Sequence, residues 1–163
     1  MYNRHEGEKM IETQSRLEIH VPEDIQNIWQ SITDILAGMV KAPVALITKL
    51  EFPYLIILNA SQTKDNPFGR NDVFRFEDLY CHKVIMEKQP LIFSDARSEP
   101  DWGDPLILKM NYIAYAGFPL EYPNGNVFGT LCVMDARENF KPFPFLELLQ
   151  SYRSTIESHL TIL

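Results

Sequence analysis

The sequence predicts an α+β fold: a five- or six-stranded antiparallel sheet with N- and C-terminal helices packed on one face, and irregular loops with short helices on the other. Three observations carry this. Residues 112–135 read as two long strands joined by a tight turn. Apolar residues at helical spacing mark both ends of the domain, near residues 22–40 and beyond residue 144. Between them, strand-like runs alternate with two long irregular stretches, so helix, two strands, excursion, strand, excursion, hairpin and helix follow one another.

Residues 1–21 form a polar segment in which Met10, Gln14, Leu17 and Val21 trace a faint helical stripe, and the domain is expected over 22–163. Pro22 followed by Glu23 and Asp24 is a helix start, because proline suits the first turn and carboxylates suit the positive end of the helix dipole. Ile25, Ile28, Trp29, Ile32, Ile35, Leu36, Met39 and Val40 then recur at helical spacing, so one face is apolar for about five turns. Lys41 to Pro43 ends the helix. Residues 44–52 and 54–60, rich in branched and aromatic side chains, read as neighbouring strands around Pro53.

Residues 61–75, with Asn66-Pro67-Phe68-Gly69 and Asn71-Asp72, have the turn chemistry of a long loop. A short helix is expected at 77–88 with Cys81, Val84 and Ile85 facing inward, then a strand at 91–94. The second irregular stretch, 95–111, holds a turn or so of helix near 105–109. In the hairpin, Ala114, Ala116, Phe118 and Leu120 share one face and Tyr115, Gly117 and Pro119 the other. Residues 127–134 are almost wholly apolar, as in a central strand covered on both sides. Pro123, Asn124 and Gly125 suit a bulged hairpin turn with Gly125 left-handed. Gly117 and Gly129 mark bends or close approaches. Lys141-Pro142-Phe143-Pro144 opens a final helix. Its Phe145, Leu149, Tyr152, Ile156, His159 and Leu163 form a heptad seam, expected to be a homodimer interface.

The pieces Tyr115-Ala116-Gly117-Phe118-Pro119-Leu120, Pro123-Asn124-Gly125 and Phe128-Gly129-Thr130-Leu131-Cys132-Val133-Met134-Asp135 resemble the terminal hairpin of GAF domains found in bacterial and archaeal sensor histidine kinases and related signalling proteins. Leu79-Tyr80-Cys81 with Val84-Ile85, and Asp95-Ala96-Arg97 with Pro100-Asp101-Trp102, resemble further pieces of the pattern in the same order. The resemblance implies a sensory or regulatory module that binds a small molecule between the sheet and the excursions. It further implies that the terminal helices lead to an output domain such as a histidine kinase.

Composition narrows the classes. Fifteen basic against twenty-two acidic residues give a net charge of −7, which disfavours a nucleic-acid partner. Two cysteines without a CxxC pair or zinc spacing fit a reduced, cytoplasmic compartment and no metal. No run is apolar enough to span a membrane. Phosphate-binding loops and a Gly-x-Ser-x-Gly elbow are absent from the sequence, so no catalytic residue is assigned. Cys81 beside His82 is a tempting pair, yet helix neighbours point about 100° apart, and Cys81 and Cys132 read as small core residues. Bilin-binding relatives of the resemblance carry a Cys-His pair where this chain has Leu108-Lys109-Met110-Asn111, and the Asn-Lys-Phe-Asp-Glu motif of cyclic-nucleotide binders has no counterpart.

The expected pocket lies under the two excursions, among Tyr80, Cys81, Arg97, Trp102, Met110, Tyr115, Phe118 and Phe128, with Arg97 toward any anionic group. No cofactor or ligand is named by the sequence. A cysteine-based redox enzyme like the free methionine sulfoxide reductases, or a ligand-free dimerisation module, are the alternatives.

Overall fold

The computed structural model of the chain describes residues 8–9, 20–99, 105–140 and 144–163. The stripe at Met10, Gln14 and Leu17, the residue Trp102 and the Lys141–Phe143 helix opening lie outside them. Helix α1 (Glu23–Val40) leads into strands β1 (Val44–Glu51), β2 (Tyr54–Ala60) and β3 (Val73–Arg75). A 3-10 turn (Phe76–Asp78) precedes helix α2 (Cys81–Glu87) and strand β4 (Leu91–Phe93). A second 3-10 turn (Ala96–Ser98) and helix α3 (Leu106–Lys109) precede the hairpin of β5 (Ala114–Glu121) and β6 (Val127–Asp135), and helix α4 (Leu146–Leu160) follows.

The strands make one six-stranded sheet in the order β3-β2-β1-β6-β5-β4. Every neighbouring pair is antiparallel, as expected. Burial of β6 along its whole length follows from its place between β1 and β5. The hairpin turn closes with Gly125 N–H donating to Tyr122 O at 2.9 Å, Gly125 at φ 86°.

The sheet separates two cores. On one face, α1 and α4 pack against Ala45, Ile47, Ala116, Phe118, Leu131 and Val133. On the other, α2, α3 and the loops cover Leu46, Leu55, Ile57, Tyr115, Cys132 and Met134. A register shift places Leu120 opposite Gly129 but Glu121 opposite Val127, so Phe128 is the extra residue of a β-bulge. The bulge sends Phe128 to the helix side with Leu131 and Val133.

Four expectations are corrected. In α1 the buried stripe is rotated from the apolar one: Gln26, Thr33 and Ala37 are inside, whereas Ile28, Ile35 and Met39 are 47%, 51% and 49% exposed. Polar Gln26 and Thr33 are tolerated there because each donates to a carbonyl, Val21 O and Gln30 O. The 77–88 helix is split, because Leu79 adopts an extended conformation that turns both Leu79 and Tyr80 inward. The edge strand β3, only three residues long, has too few positions to show a period. The heptad seam of α4 packs on its own sheet: Leu149 and Ile156 are fully buried within the single chain, and Phe145, Tyr152 and Leu163 pack against the same core. An apolar seam specifies only that something covers it, and here the sheet does.

Candidate functional site

The loop-side core holds a small group of polar atoms inside apolar walls. Cys81 begins α2 and Cys132 lies midway along β6, and their sulfurs are 3.9 Å apart. Both are free thiols with at most 1% exposure. Thr48 of β1 and Thr130 of β6 are direct cross-strand partners. Thr130 N–H donates to Thr48 Oγ1 at 3.1 Å, the two hydroxyls meet at 2.7 Å, and Thr130 Oγ1 donates to Cys81 Sγ at 3.2 Å. A hydroxyl has one proton, so the Thr48 hydroxyl is the donor to Thr130.

Tyr115 donates its hydroxyl to the same sulfur, Cys81 Sγ, at 3.4 Å. It reaches there by lying along its own strand over Gly117, where a Cβ would stand 2.2 Å from the Tyr115 hydroxyl oxygen. The absence of a side chain at Gly117 is thus what seats the ring. Tyr80 packs edge-on against Phe93 at 5.0 Å and Tyr115 at 5.5 Å, and its hydroxyl donates to Tyr112 O at 2.6 Å.

This arrangement makes the two thiols unlike each other. The hydrogen bond from Cys132 holds Cys81 below the ordinary thiol range against the opposing effect of burial, with Thr130 and Tyr115 adding to it. Cys132, which gives that hydrogen bond and is buried, is pushed well up. Burial, reinforced by Cys81, raises the Tyr115 phenol well above its usual value.

Of the residues expected to line a pocket, Tyr80, Cys81 and Tyr115 come together here, and Met110 packs half-buried at the margin. Arg97 stands outside: its side chain is 64% exposed and grips Asp95 through Nε and Nη2, both at 2.9 Å. Phe118 and Phe128 are corrections, since both lie in the helix-side core. Phe118 is three residues from Tyr115, and strand side chains alternate, so the two could not share a face. Thr48, Thr130 and Cys132 were not foreseen at the site. The signal for the threonines was a hydroxyl residue in the apolar middle of each strand, Thr48 after Val44-Ala45-Leu46-Ile47 and Thr130 before Leu131-Cys132-Val133-Met134.

Hollows on the surface of the described residues include two near this core. A groove of about 660 Å³ at one end of the sheet is lined by Lys41, Thr63, Lys64, Tyr112, Asp135 and Arg137. A cleft of about 480 Å³ includes Gln26, Gln30, Asn59, Asn66 and Arg70. Among the described residues, no cluster of His, Cys, Asp or Glu could hold a metal ion. No helix among them is long and apolar enough to cross a membrane.

The family model for the GAF domain matches residues 24–158. The chain belongs to the GAF domain family. Its fold is similar to the GAF domain of an Acinetobacter phosphoenolpyruvate-protein phosphotransferase, with TM-score 0.65, 13% identity, and coverage of 99% of this chain and 96% of that one. It is also similar to free methionine-R-sulfoxide reductase from Neisseria meningitidis, at TM-score 0.66 and 11% identity, covering 96% of this chain and 87% of that one. A third is the PixJ GAF domain of Thermosynechococcus elongatus in its blue-light absorbing form, at TM-score 0.61 and 14% identity, with 83% and 86% covered. At such identities these likenesses describe the fold alone. Comparison with curated proteins gives no match.

The buried and half-buried phenols of this GAF domain are expected to make it labile to alkali. Burial raises Tyr80, Tyr112 and Tyr115, the charge of Asp95 adding at Tyr80, and pushes Tyr122 up to about 12. Their neutral forms therefore stabilise the fold fully below the unfolded tyrosine value of about 10, and that contribution is lost as pH rises toward the folded values. Urea midpoints are expected to be flat with respect to these groups from pH 7 to 9 and to fall steeply between pH 10 and 12. Phenolate absorbance appearing in step with unfolding checks the assignment; phenolate appearing in the folded protein at pH 10 on all of them contradicts it.

Proposed function

We propose that the chain is the non-enzymatic sensory or regulatory GAF module of a larger signalling protein. It binds a small molecule between the sheet and the loop-side cover and passes the bound state to α1 and α4, which lead to an output domain such as a histidine kinase. One observation carries this reading: β5 and β6 contribute alternate residues to both cores. Tyr115 and Cys132 point to the loop side, while Ala116, Phe118, Leu131 and Val133 point to the helix side. A shift of either strand made by a ligand is felt directly under the helices. Arg153 of α4 lies 5.9 Å over the Phe118 ring, and Glu157 accepts from Glu121 N–H at 2.8 Å, so α4 is fastened to β5.

The ligand's place is the one the Tyr115 ring now fills, and binding swings that ring off Gly117. Aromatic walls with several hydroxyls suit a neutral or aromatic metabolite. Arg97, held on Asp95 outside this core, does not face that place, so an anionic substituent has no cationic partner in it.

The module is a homodimer in this reading, with a changed interface. Ile28, Ile35 and Met39 are spaced by seven and four along the outer side of α1 and stay exposed, so they replace the α4 seam as the pairing surface. A second function, a cysteine-dependent reductase of free methionine sulfoxide, is favoured by the 3.9 Å approach of the thiols.

Native mass spectrometry of protein purified from cells tests all of this. A dimer that Ile35→Glu converts to monomer is expected. So is a bound small molecule, released on denaturation and lost in Tyr115→Phe. A dimer with no bound mass, and no thermal shift from a metabolite panel, leaves the ligand-free dimerisation module instead. Turnover of free methionine sulfoxide that Cys81→Ser abolishes establishes the enzyme.

A further inference from the structure

We propose that Cys81 and Cys132 are a hydroperoxide-oxidisable dithiol, with Cys81 as the attacking sulfur and Cys132 as the thiol that resolves it into a disulfide. This goes beyond the sensory reading and stands whether or not a metabolite binds.

The fold brings together two sulfurs 51 positions apart in sequence, to 3.9 Å. A disulfide requires about 2.05 Å, so closing it takes a movement of roughly 2 Å. The movement falls to α2, a seven-residue helix between extended Leu79 and left-handed Lys88 (φ 52°), because β6 is fixed in the middle of the sheet. The surroundings also assign the roles. Cys81 Sγ accepts from the hydroxyls of Thr130 and Tyr115, which stabilise negative charge on it. Cys132 faces that sulfur with its own thiol.

In the first step the Cys81 thiolate attacks one oxygen of hydrogen peroxide. The O–O bond breaks, Cys81 becomes a sulfenic acid, and the departing hydroxide takes the proton that Cys81 had lost, leaving as water. In the second, the Cys132 sulfur attacks Cys81 Sγ. The S–S bond forms, the S–O bond breaks, and the Cys132 proton leaves with the hydroxyl as a second water. Two thiols and one peroxide thus give a disulfide and two waters, the two electrons passing from sulfur to oxygen. Burial of both sulfurs excludes bulky oxidants and admits a small peroxide through local opening of α2. The product ties α2 to β6 and leaves the sulfur to which Tyr115 donates without negative charge.

The test uses the full chain, reduced, then exposed to hydrogen peroxide, with free thiols blocked under denaturing conditions and peptides mapped without reductant. Expected is an intramolecular Cys81–Cys132 disulfide, reversed by dithiothreitol, with both alkylatable thiols lost together. In Cys132→Ser, a sulfenic acid at Cys81, trapped by dimedone added together with denaturant, is expected; in Cys81→Ser, none at Cys132. Thr130→Val is expected to move the pH dependence of oxidation upward, which a packing role alone would not do. Thiols that stay fully alkylatable in the wild-type protein, a disulfide found only between chains, or equal oxidation of Cys81→Ser overturn the proposal. Bound metabolite is read separately by native mass, so the two ideas fail independently.

Discussion

Gly129→Ala is expected to leave the domain unfolded or close to it. A Cβ at that position would stand 1.8 Å from Thr48 O and 2.6 Å from Thr48 C. These are backbone atoms of the adjacent strand, so no rotamer change relieves the overlap. Relief requires β1 to move away from β6 at the Lys49–Gly129 pair, which opens the middle of the sheet and both cores at once. A loss of more than about 4 kcal/mol is the scale of such disruptions, against a total of roughly 5–15 kcal/mol for a domain. Urea unfolding followed by circular dichroism measures it. Gly38→Ala is the control, since nothing lies within 4 Å of a Cβ there and the site is an exposed helix position. A Gly129→Ala protein with a wild-type midpoint would remove the steric account.

Trp29→Ala is the second large effect, at about 3–5 kcal/mol. Trp29 is fully buried under α1 and meets Phe128 edge-on at 5.8 Å between ring centres. Its Nε1–H donates to His159 Nδ1 at 2.9 Å, which links α1 to α4 across the helix layer. The alanine variant loses the packing and the link together. Trp29→Phe retains most of the apolar area and loses the donor together with part of the indole ring, for about 1–2 kcal/mol. Thermal unfolding of the pair separates the two parts: near-equal losses would mean the hydrogen bond carries the stability, contrary to expectation.

The residues that announced the fold did so through period and turn chemistry. The hairpin was legible because alternation and the Pro123-Asn124-Gly125 turn agree, and α1 because a start, an apolar period and a stop occur in order. What failed was orientation. Apolar Ile28, Ile35 and Met39 suggested a wider buried stripe than the sheet covers, since hydrophobicity does not record which way a helix is rolled. The α4 seam is apolar as its period implies, and within the single chain the sheet covers its Leu149 and Ile156, a contact that periodicity does not encode. At the candidate site, Tyr80, Cys81 and Tyr115 were anticipated together, while Phe118 conflicted with the alternation already assigned to β5. Proximity of Cys81 to Cys132 depends on how α2 crosses β6, and no local pattern encodes a crossing.

The strand order has a kinetic meaning as well. Pairings β1 with β2, β2 with β3, β4 with β5 and β5 with β6 each join consecutive strands, so the sheet comprises two locally connected halves. They meet along one seam, where Val44 pairs with Met134 and Lys49 with Gly129. On the ribosome, the first half must wait with the β1 edge unpaired until β6 has been synthesised. Loop closure across that whole interval precedes the contacts that reward it, so this one pairing slows folding relative to a sheet of consecutive strands alone. Until the seam closes, that unpaired edge is the chain's aggregation hazard.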